Sequence, residues 1–366
     1  MKKPAKTATK TARKPAAKPA KKPAARAAAK APAKAAAALP AKSRAIRVYK
    51  LGGPEVLKWE EVAVPAPGAG EVLLRHTAIG LNLADTYRRR GIYPINLPDG
   101  MGNEAVGVIE AVGKGVTGFR KGDRVGYVGG MPNNAYSEYR VARAAPLIKL
   151  PRSISDEQAA AVLLKGITAQ YLIKTTYPVQ KGDTILIHAA AGGVGLILCQ
   201  WAKALGATVI GIVSSAEKAK IAKRNGCKFP IVTKQANFAD QVRKLTKGAG
   251  VEAVYDSVGK DTWDESMKCL KRRGTMVSFG SASGTLPLID VSATGSMGSP
   301  YMVRASLVNH TVTPEETNAR ARDLFRAIAR GDVKVRVNQK YKLKDAAKAQ
   351  ADMEARKTTG STVLVP

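Results

Sequence analysis

A short run of small residues separates two apolar stretches in the middle of the chain. The stretch TILIHAA holds His188, Gly192 and Gly193 follow it, and Gly195 is the first residue of GLILCQWAKALG. Because glycine has no side chain, the backbone there can approach a pyrophosphate closely, and a helix that starts there offers free N–H groups and its positive dipole end. The spacing is A-A-x-G-G-V-G rather than G-x-G-x-x-G, so an ordinary glycine-rich turn is the competing interpretation. A strand ending at His188 and a helix after the glycines favour a dinucleotide-binding turn.

The end of the next apolar stretch, ATVIGIVSS, indicates which dinucleotide would bind. A site for NAD usually has Asp or Glu here for the ribose 2′-hydroxyl, whereas this chain has Ser214 and Ser215. No carboxylate repels a 2′-phosphate, and Lys218 follows within reach. Lys220 and Lys223 are better explained as a solvated helix face. The pattern predicts NADPH.

Elements that would position this turn recur in a regular order. TILIHAA, ATVIGIVS, EAVYDSVG and GTMVSFGS are predicted strands, and GLILCQWAKALG and AEKAKIAKRNG are predicted helices. This alternation is typical of a doubly wound parallel sheet. Towards the C-terminus, EETNARARDLFRAIARG is a predicted helix, and short strands are expected over Lys334–Val337 and Thr362–Val365.

The part of the chain before this alternation is rich in short β patterns. AIRVYKLGGPEVLKWEEV reads as strand, turn and strand, and GEVLLRHTAIGLN as another strand. Glycines interrupt the runs that follow, which suggests a small barrel-like β domain. A helix is expected from about Ser155, which would cap it, with Asp156 and Glu157 in its first turn.

The first 44 residues have a different composition. They hold 14 Lys or Arg, no acid and repeated prolines in a background of alanine, and they contribute heavily to the net charge of +32. Like charges repel and little apolar surface is available, so a disordered basic tail is expected. It resembles the tails of linker histones and bacterial histone-like proteins and would contact DNA or RNA phosphates without sequence preference. A solubility tag, a processed segment and a mitochondrial transit peptide are the alternatives.

The cysteines and the hydropathy of the chain indicate the cellular compartment in which the protein is expected. Cys199, Cys227 and Cys269 are odd in number and scattered, so a disulfide framework is not expected and a reducing, cytoplasmic location fits. No apolar run has membrane-spanning length. The chain of 366 residues favours two domains.

Four segments carry a resemblance to a known family: GLNLADTYRRRGIYP, HAAAGGVGLILCQWAKALGA, VYDSVGKDTWDESMKCLKRRGTMVSFG and ARKTTGSTVLVP. The chain from about Ala45 resembles quinone oxidoreductases of the zeta-crystallin type, zinc-free members of the medium-chain dehydrogenase/reductase superfamily. The resemblance implies an α/β fold with a GroES-like β-barrel catalytic domain, residues 45–165 and 302–366, and a Rossmann-type NADP-binding domain, residues 166–301. Residues 1–44 would be the disordered tail.

The residue types argue against the metal that zinc-dependent relatives use. Where those relatives have a metal-binding His in a G-H-E segment, this chain has Asn103, and amides are poor zinc ligands. Three scattered cysteines cannot form a four-cysteine lobe, and the histidines show no ligand spacing. His188, at a strand end, is interpreted as structural.

The resemblance also implies a site, position by position. Asn82, Asp85 and Tyr87 are carried over as the catalytic set, although a cleft tyrosine without catalytic role and a structural hydrogen bond for Asp85 are open alternatives. Thr233 stands where many relatives have a Tyr beside the adenosine phosphate, which leaves a hydroxyl without a stacking face. The implied cofactor contacts are Leu83, Asn103, Tyr171, Gly192, Gly193, Val194, Gly195, Ser214, Lys218, Thr233, Ser257, Phe279, Gly280, Ser281, Ser306, Leu307 and Arg356.

Without a metal to polarise a carbonyl, acceptors that take hydride readily are favoured. A quinone does so because its product is an aromatic hydroquinone, and the protein's part is to position the cofactor against it. A reductase of α,β-unsaturated carbonyls on the same scaffold is the nearest alternative, and a scaffold without redox activity is a more distant one. A homodimer is expected by analogy with the family, through an exposed edge of the parallel sheet.

Overall fold

The computed structural model describes residues 1, 8, 11, 12, 39–129, 134–233 and 237–366. The chain divides into two compact units, Met1–Leu39 and Pro40–Pro366. The expected disordered tail therefore lies almost wholly outside the described residues. Its predicted end at residue 44 falls inside the second unit, because the first strand already begins at Lys42.

The β-rich part of the chain forms a barrel-like domain. Its strands are β1 (Lys42–Val48), β2 (Lys58–Ala63), β3 (Glu71–Leu81), β4 (Asp99–Gly100), β5 (Glu104–Val112), β6 (Arg124–Val128), β7 (Tyr139–Arg143), β8 (Ile148–Lys149), β15 (Val337–Lys342) and β16 (Ser361–Val365). One sheet has the order β2-β1-β4, and a larger one has the order β15-β16-β3-β5-β6-β8, with β7 also paired to β3. Helices α1 (Leu83–Arg89) and α8 (Ala346–Glu354) belong to the same part of the fold.

The second domain is a single parallel sheet with helices between its strands. The strands are β9 (Thr184–Ile187), β10 (Thr208–Val213), β11 (Phe229–Val232), β12 (Val251–Asp256), β13 (Leu270–Ser278) and β14 (Tyr301–Arg304). The helices are α3 (Gly193–Ala204), α4 (Ala216–Arg224), α5 (Ala239–Leu245) and α6 (Trp263–Cys269). The order β11-β10-β9-β12-β13-β14, with the chain running outward from β9 on both sides, is that of a Rossmann-type sheet. The predicted fold class is confirmed.

Helix α2 (Asp156–Tyr171) connects the two domains and is buried along most of its length. Ser155 caps it as predicted, because its hydroxyl accepts a hydrogen bond from the Gln158 N–H at 3.2 Å. Its apolar residues belong to one core cluster that also contains β9, α3 and α7 (Pro314–Arg330). Gly166 lets α7 approach, since a Cβ there would lie 2.6 Å from Leu324. The helix continues into a π-helical turn, Leu172–Thr176.

Some predicted boundaries differ from the structure. The strand expected over Lys334–Val337 begins only at Val337 and runs to Lys342, because Val337 and the residues after it pair with β16. The Rossmann sheet extends beyond the expected boundary at residue 301, since β14 pairs in parallel with β13 as far as Arg304. Short 3-10 turns cover Pro54–Val56, Ser292–Gly295, Val308–His310 and Leu343–Asp345.

Two further apolar clusters complete the interior. The barrel encloses one that includes Ile46, Leu74 and Leu364, and the second face of the parallel sheet covers another that includes Leu186 and Trp263. Within the residues that the structure describes, none of the helices combines the length and apolar character needed to span a bilayer.

Candidate active site

The predicted dinucleotide turn joins the end of β9 to the start of α3. Ala189 adopts a left-handed conformation with φ 48°, and the Gly192 N–H donates to its carbonyl oxygen at 2.8 Å. A Cβ on Gly195 would lie 2.3 Å from that oxygen, so the tight turn requires glycine at this position. The first N–H groups of α3 then remain for an anion, as at other helix N-termini next to a strand end.

The corner expected to bind a 2′-phosphate is formed from distant parts of the chain. A cavity of about 440 Å³ is lined by Ser214, Ser215, Lys218 and Arg356. Ser215 caps α4, and its hydroxyl accepts from the Lys218 N–H at 3.3 Å. The Lys218 ammonium donates to the carbonyl oxygen of Arg356 at 3.3 Å. The four lining residues include two basic ones and no carboxylate, which is the charge pattern of a phosphate site.

Thr233 lies beside this corner, directly after β11. Its N–H donates to the Val213 carbonyl oxygen at 2.9 Å, and its hydroxyl donates to Asn237 at 3.0 Å. Thr233 therefore lies next to the end of β10, and its contact with the adenosine side of a cofactor stays a prediction. The hydroxyl, however, already has a partner within the protein.

The loops after β12 and β13 form the other half of the proposed cofactor crevice, opposite the half that holds Ser214 and Lys218. Phe279, Gly280 and Ser281 follow β13, and a Cβ on Gly280 would lie 2.4 Å from the carbonyl oxygen of Ser257. The two loops therefore pack backbone against backbone at the carboxyl ends of neighbouring parallel strands, where ligands of doubly wound sheets bind.

A buried polar network fixes the position of the loop after β12. The Asp256 carboxylate accepts from the N–H groups of Val258 and Gly259 at 2.7 and 3.0 Å, and from the Ser266 hydroxyl at 3.0 Å. His188 Nε2 lies 2.8 Å from the same hydroxyl. Burial lowers the pKa of His188, which keeps the imidazole neutral. Ser, His and Asp are adjacent here, but all three are buried from any substrate, so the network is structural and agrees with the interpretation of His188.

Arg304 is a cleft residue that the sequence analysis missed. Arg304 is the last residue of β14. Its guanidinium donates to the Ser278 hydroxyl at 3.0 Å and to the Gly280 carbonyl oxygen at 2.8 Å. The positive charge also acts on the phenols of Tyr87 and Tyr171. Arg304 lies in a strand of only four residues, and so short a strand shows little recognisable pattern in the sequence.

The start of α1 carries the predicted catalytic set. Asn82 caps the helix, and its backbone N–H donates to Asp85 Oδ2 at 3.0 Å. Asp85 also accepts from the Asn103 amide at 2.7 Å and from the Tyr136 hydroxyl at 2.9 Å. Burial nevertheless raises the pKa of the Asp85 carboxyl. Both carboxyl oxygens are engaged by protein donors, which supports a structural role for Asp85 over acid–base work.

Tyr87 differs from its neighbours because its hydroxyl donates to no acceptor in the described part of the chain, while the backbone of Ser281 acts on the phenol as a hydrogen-bond donor. Its ring packs edge-on against Tyr93, with centroids 5.3 Å apart. Burial raises the pKa of the Tyr87 phenol to about 12, so the group keeps its proton at neutral pH. A phenol whose proton has no acceptor within the protein can donate it to a ligand that comes within reach.

The other predicted contact residues lie on α1, α2, α3 and the segment after β14. Tyr171 is buried and stacks on His310, with ring centroids 4.1 Å apart, and burial raises its pKa to about 12. The carbonyl oxygen of Ser306 lies 2.8 Å from His310 Nδ1, which ties the segment after β14 to that ring. Leu83 is exposed at the start of α1. Val194 and Leu307 pack against the interdomain core.

Glu104 and Lys165 form a buried ion pair that the sequence analysis also missed. Glu104 accepts from the Leu164 N–H at 2.6 Å and from the Asn82 side-chain amide at 2.9 Å, and Lys165 Nζ lies 3.7 Å away. Burial raises the pKa of the Glu104 carboxyl, while the ammonium acts in the opposite direction. The signal was present in the sequence, because Lys165 interrupts the otherwise apolar run AAAVLLKGITA.

The residues present do not fit a zinc ion. Among the described residues, no group of three or more His, Cys, Asp or Glu side chains is placed to hold a metal. Asn103, at the position where a ligand would be expected, uses its amide to bind Asp85. Zinc sites in proteins use cysteine sulfur, histidine nitrogen or carboxylate oxygen, usually in tetrahedral arrangement, and an amide is not among these ligands.

Comparison with known proteins agrees with this architecture. Residues 68–152 match the family model described as alcohol dehydrogenase GroES-like domain, and residues 193–322 match the one described as zinc-binding dehydrogenase. The fold and site therefore define a two-domain dehydrogenase-type protein with a GroES-like domain and a dinucleotide-binding Rossmann-type domain.

More particularly, the chain belongs to the quinone oxidoreductase family. A quinone oxidoreductase of Pseudomonas aeruginosa is 49% identical over 325 residues, which cover 88% of this chain and 100% of the relative. The crystal structure of Escherichia coli quinone oxidoreductase complexed with NADPH is 44% identical with a TM-score of 0.86, and covers 88% of this chain and 100% of that one. A 2-haloacrylate reductase of a Burkholderia species is 44% identical over 326 residues, 87% of this chain and 98% of the relative.

The cavity lined by Ser214, Ser215, Lys218 and Arg356 leads to a prediction about which cofactor binds. Replacing Lys218 by Ala should raise the KM for NADPH about tenfold or more, since a charge-assisted hydrogen bond contributes about 1.5–3 kcal/mol. The KM for NADH should change little, because NADH has no 2′-phosphate. Steady-state kinetics with both cofactors measure the effect, and Lys220→Ala, on the same helix, is the matched control. Equal losses for NADH and NADPH would contradict the assignment.

Proposed function

We propose that this protein is an NADPH-dependent quinone reductase that works without a metal ion. The observation that carries the proposal is the corner of Ser214, Lys218 and Arg356 next to the glycine turn. It provides a phosphate site at the second strand of the sheet, and a homologous structure was determined as a complex with NADPH. Relatives that are 45–49% identical are named quinone oxidoreductases.

The residues have separate tasks in this reaction. Gly193 and Val194 would hold the pyrophosphate at the start of α3, and the Ser214 corner would hold the 2′-phosphate. Ser257 and the segment 279–281 would enclose the nicotinamide half. When bound, NADPH supplies the hydride. The protein's contribution is to orient the acceptor, exclude water and provide a proton.

Tyr87 is proposed as the proton donor. Reduction of a quinone to a hydroquinone takes up one hydride and one proton, and the Tyr87 phenol is a protonated group without a protein acceptor in the described part of the chain. Its proton would pass to the quinone oxygen, and solvent would restore it. Asn82 and Asp85 would act by holding the start of α1, which carries Tyr87.

The acceptor class can be tested directly. Initial rates with a panel of benzoquinones, naphthoquinones and simple enones, each with NADPH and NADH, should give the highest kcat/KM for quinones with NADPH. A preference for enones would support the second candidate, a reductase of α,β-unsaturated carbonyls, which the 2-haloacrylate reductase relative favours. NADPH binding without turnover of either class would contradict both.

A Tyr87→Phe variant separates proton donation from packing. If the phenol donates the proton, kcat should fall about 100-fold, the lower end of what a positioned general acid contributes, while the KM for NADPH stays within about twofold. Because the pKa of Tyr87 is raised to about 12, its ionisation should not appear in the kcat profile between pH 6 and 9. Tyr93→Phe is the control, and a Tyr87→Phe kcat within about twofold of wild type would remove the donor role.

We also propose a homodimer and a cytoplasmic location. The strand β14 is one of the two outer strands of the parallel sheet, and Tyr301 and Val303 on it are 56% and 37% exposed. An edge strand of this kind can pair with its copy in a second subunit. Light scattering at working concentration should give twice the chain mass of 38.7 kDa, and a monomer mass would contradict the dimer. Cell fractionation tests the location.

The basic N-terminal segment is proposed as a nucleic-acid-binding arm. Deleting residues 1–39 removes this unit and leaves β1 intact, so quinone reductase activity should remain. Binding of duplex DNA at low salt should largely vanish. For the full chain, the logarithm of the binding constant should fall with the logarithm of salt concentration by about 0.9 per phosphate contacted.

A charge-neutral control distinguishes the arm from a solubility segment. Replacing its Lys and Arg residues by Gln keeps the length of the segment and should abolish DNA binding as the deletion does. Fluorescence anisotropy with a labelled duplex measures all three proteins. Binding by the full chain that ignores salt, or that survives the deletion, would contradict the proposal.

A further inference from the structure

Lys165 is a buried cation without a hydrogen-bond acceptor. Its side chain is 8% exposed, and no acceptor lies within hydrogen-bonding distance of Nζ in the described part of the chain. The nearest opposite charge is Glu104 Oε2 at 3.7 Å. A buried ammonium is costly unless it is paired and hydrogen-bonded, so three unused donors indicate a missing acceptor.

Glu104 does not accept a hydrogen bond from Lys165 in this arrangement, because its nearer oxygen lies 3.7 Å from Nζ. One of its carboxyl oxygens accepts from the Leu164 N–H and the other from the Asn82 amide. These two contacts hold the carboxylate in place at the edge of the ammonium's reach. The attraction positions Lys165 electrostatically and leaves its N–H groups available.

The stem of Lys165 packs on the glycine turn. A Cβ on Gly193 would lie 2.7 Å from Cδ and 3.0 Å from Cε of Lys165, so glycine at this position keeps the lysine in place. From this contact the side chain extends to Glu104 and therefore to Asn82 at the start of α1. The ammonium thus lies between the turn that would bind the pyrophosphate and the helix that carries Tyr87.

We infer that Lys165 binds the nicotinamide half of NADPH, by donating hydrogen bonds to ribose or phosphate oxygens between the glycine turn and the cap of α1. The inference rests on the proposed cofactor and adds a contact on the side opposite Lys218. It also gives Glu104 a positioning role, since its carboxylate attracts the ammonium while the lysine stem packs on Gly193. The two lysines would then secure opposite ends of the same ligand.

The two halves of the ligand can be measured separately. Lys165→Met removes the charge at similar length, and its Kd for NADPH should rise about 10- to 100-fold, the range expected for loss of a charged hydrogen bond. The Kd for adenosine 2′,5′-bisphosphate, which lacks the nicotinamide half, should stay within about twofold of wild type. Isothermal titration calorimetry measures both, and Lys218→Ala is the matched control that should weaken both ligands.

A second variant controls for misfolding of Lys165→Met. Lys165→Met leaves the Glu104 carboxylate without its counter-charge, so Lys165→Met combined with Glu104→Gln removes both charges together. Thermal unfolding of each variant is followed by circular dichroism, and the folded ones are titrated. An unchanged NADPH Kd in a folded variant, or an equal loss for both ligands, would overturn the inference. If neither ligand binds the wild-type protein, the proposed cofactor itself is wrong.

Discussion

The geometry of the cleft depends on one buried carboxylate, that of Glu104. Its two oxygens connect the cap residue of α1 with the backbone of α2, and they stand opposite the ammonium of Lys165. Removing a single partner would leave an uncompensated charge in the interior, which is strongly destabilising. The carboxylate therefore fixes the barrel-derived helix and the interdomain helix in one arrangement.

Because α2 belongs to the interdomain core, this local constraint reaches both domains. The helix packs on strands of the barrel, on α3 and on α7, and its residues share one apolar cluster with β9. The glycine turn follows directly after β9 and is fixed by the same packing. The cofactor crevice consequently lies between elements that are joined by a continuous core rather than by a flexible linker.

The sequence predicted the features that depend on local chemistry. The Ser155 cap, the strand–turn–helix around Gly192 and the alternating strands and helices follow from residue type and spacing, and the structure agrees with them. The meeting of Arg356 with Lys218 came only through the family resemblance, because the two residues are remote in sequence. Lys165 and Arg304 were missed since their meaning depends on burial and on what they face. The strand placed at Lys334–Val337 was wrong, as its limits are set by pairing with β16 and not by its own pattern.

The position of β16 has a consequence for how the chain folds. Residues 361–365 pair with β15 on one side and with Ile79–Leu81, the end of β3, on the other. On this edge the first half of β3 can pair with β7, but its end at Ile79–Leu81 stays uncovered while the Rossmann-type domain is synthesised, and the barrel sheet is completed only when β16 has been made. Contacts this distant in sequence are slow to form, and an uncovered strand edge is a site for misassociation between nascent chains. The barrel domain begins first in the chain, but its sheet is completed after the Rossmann-type domain has been synthesised.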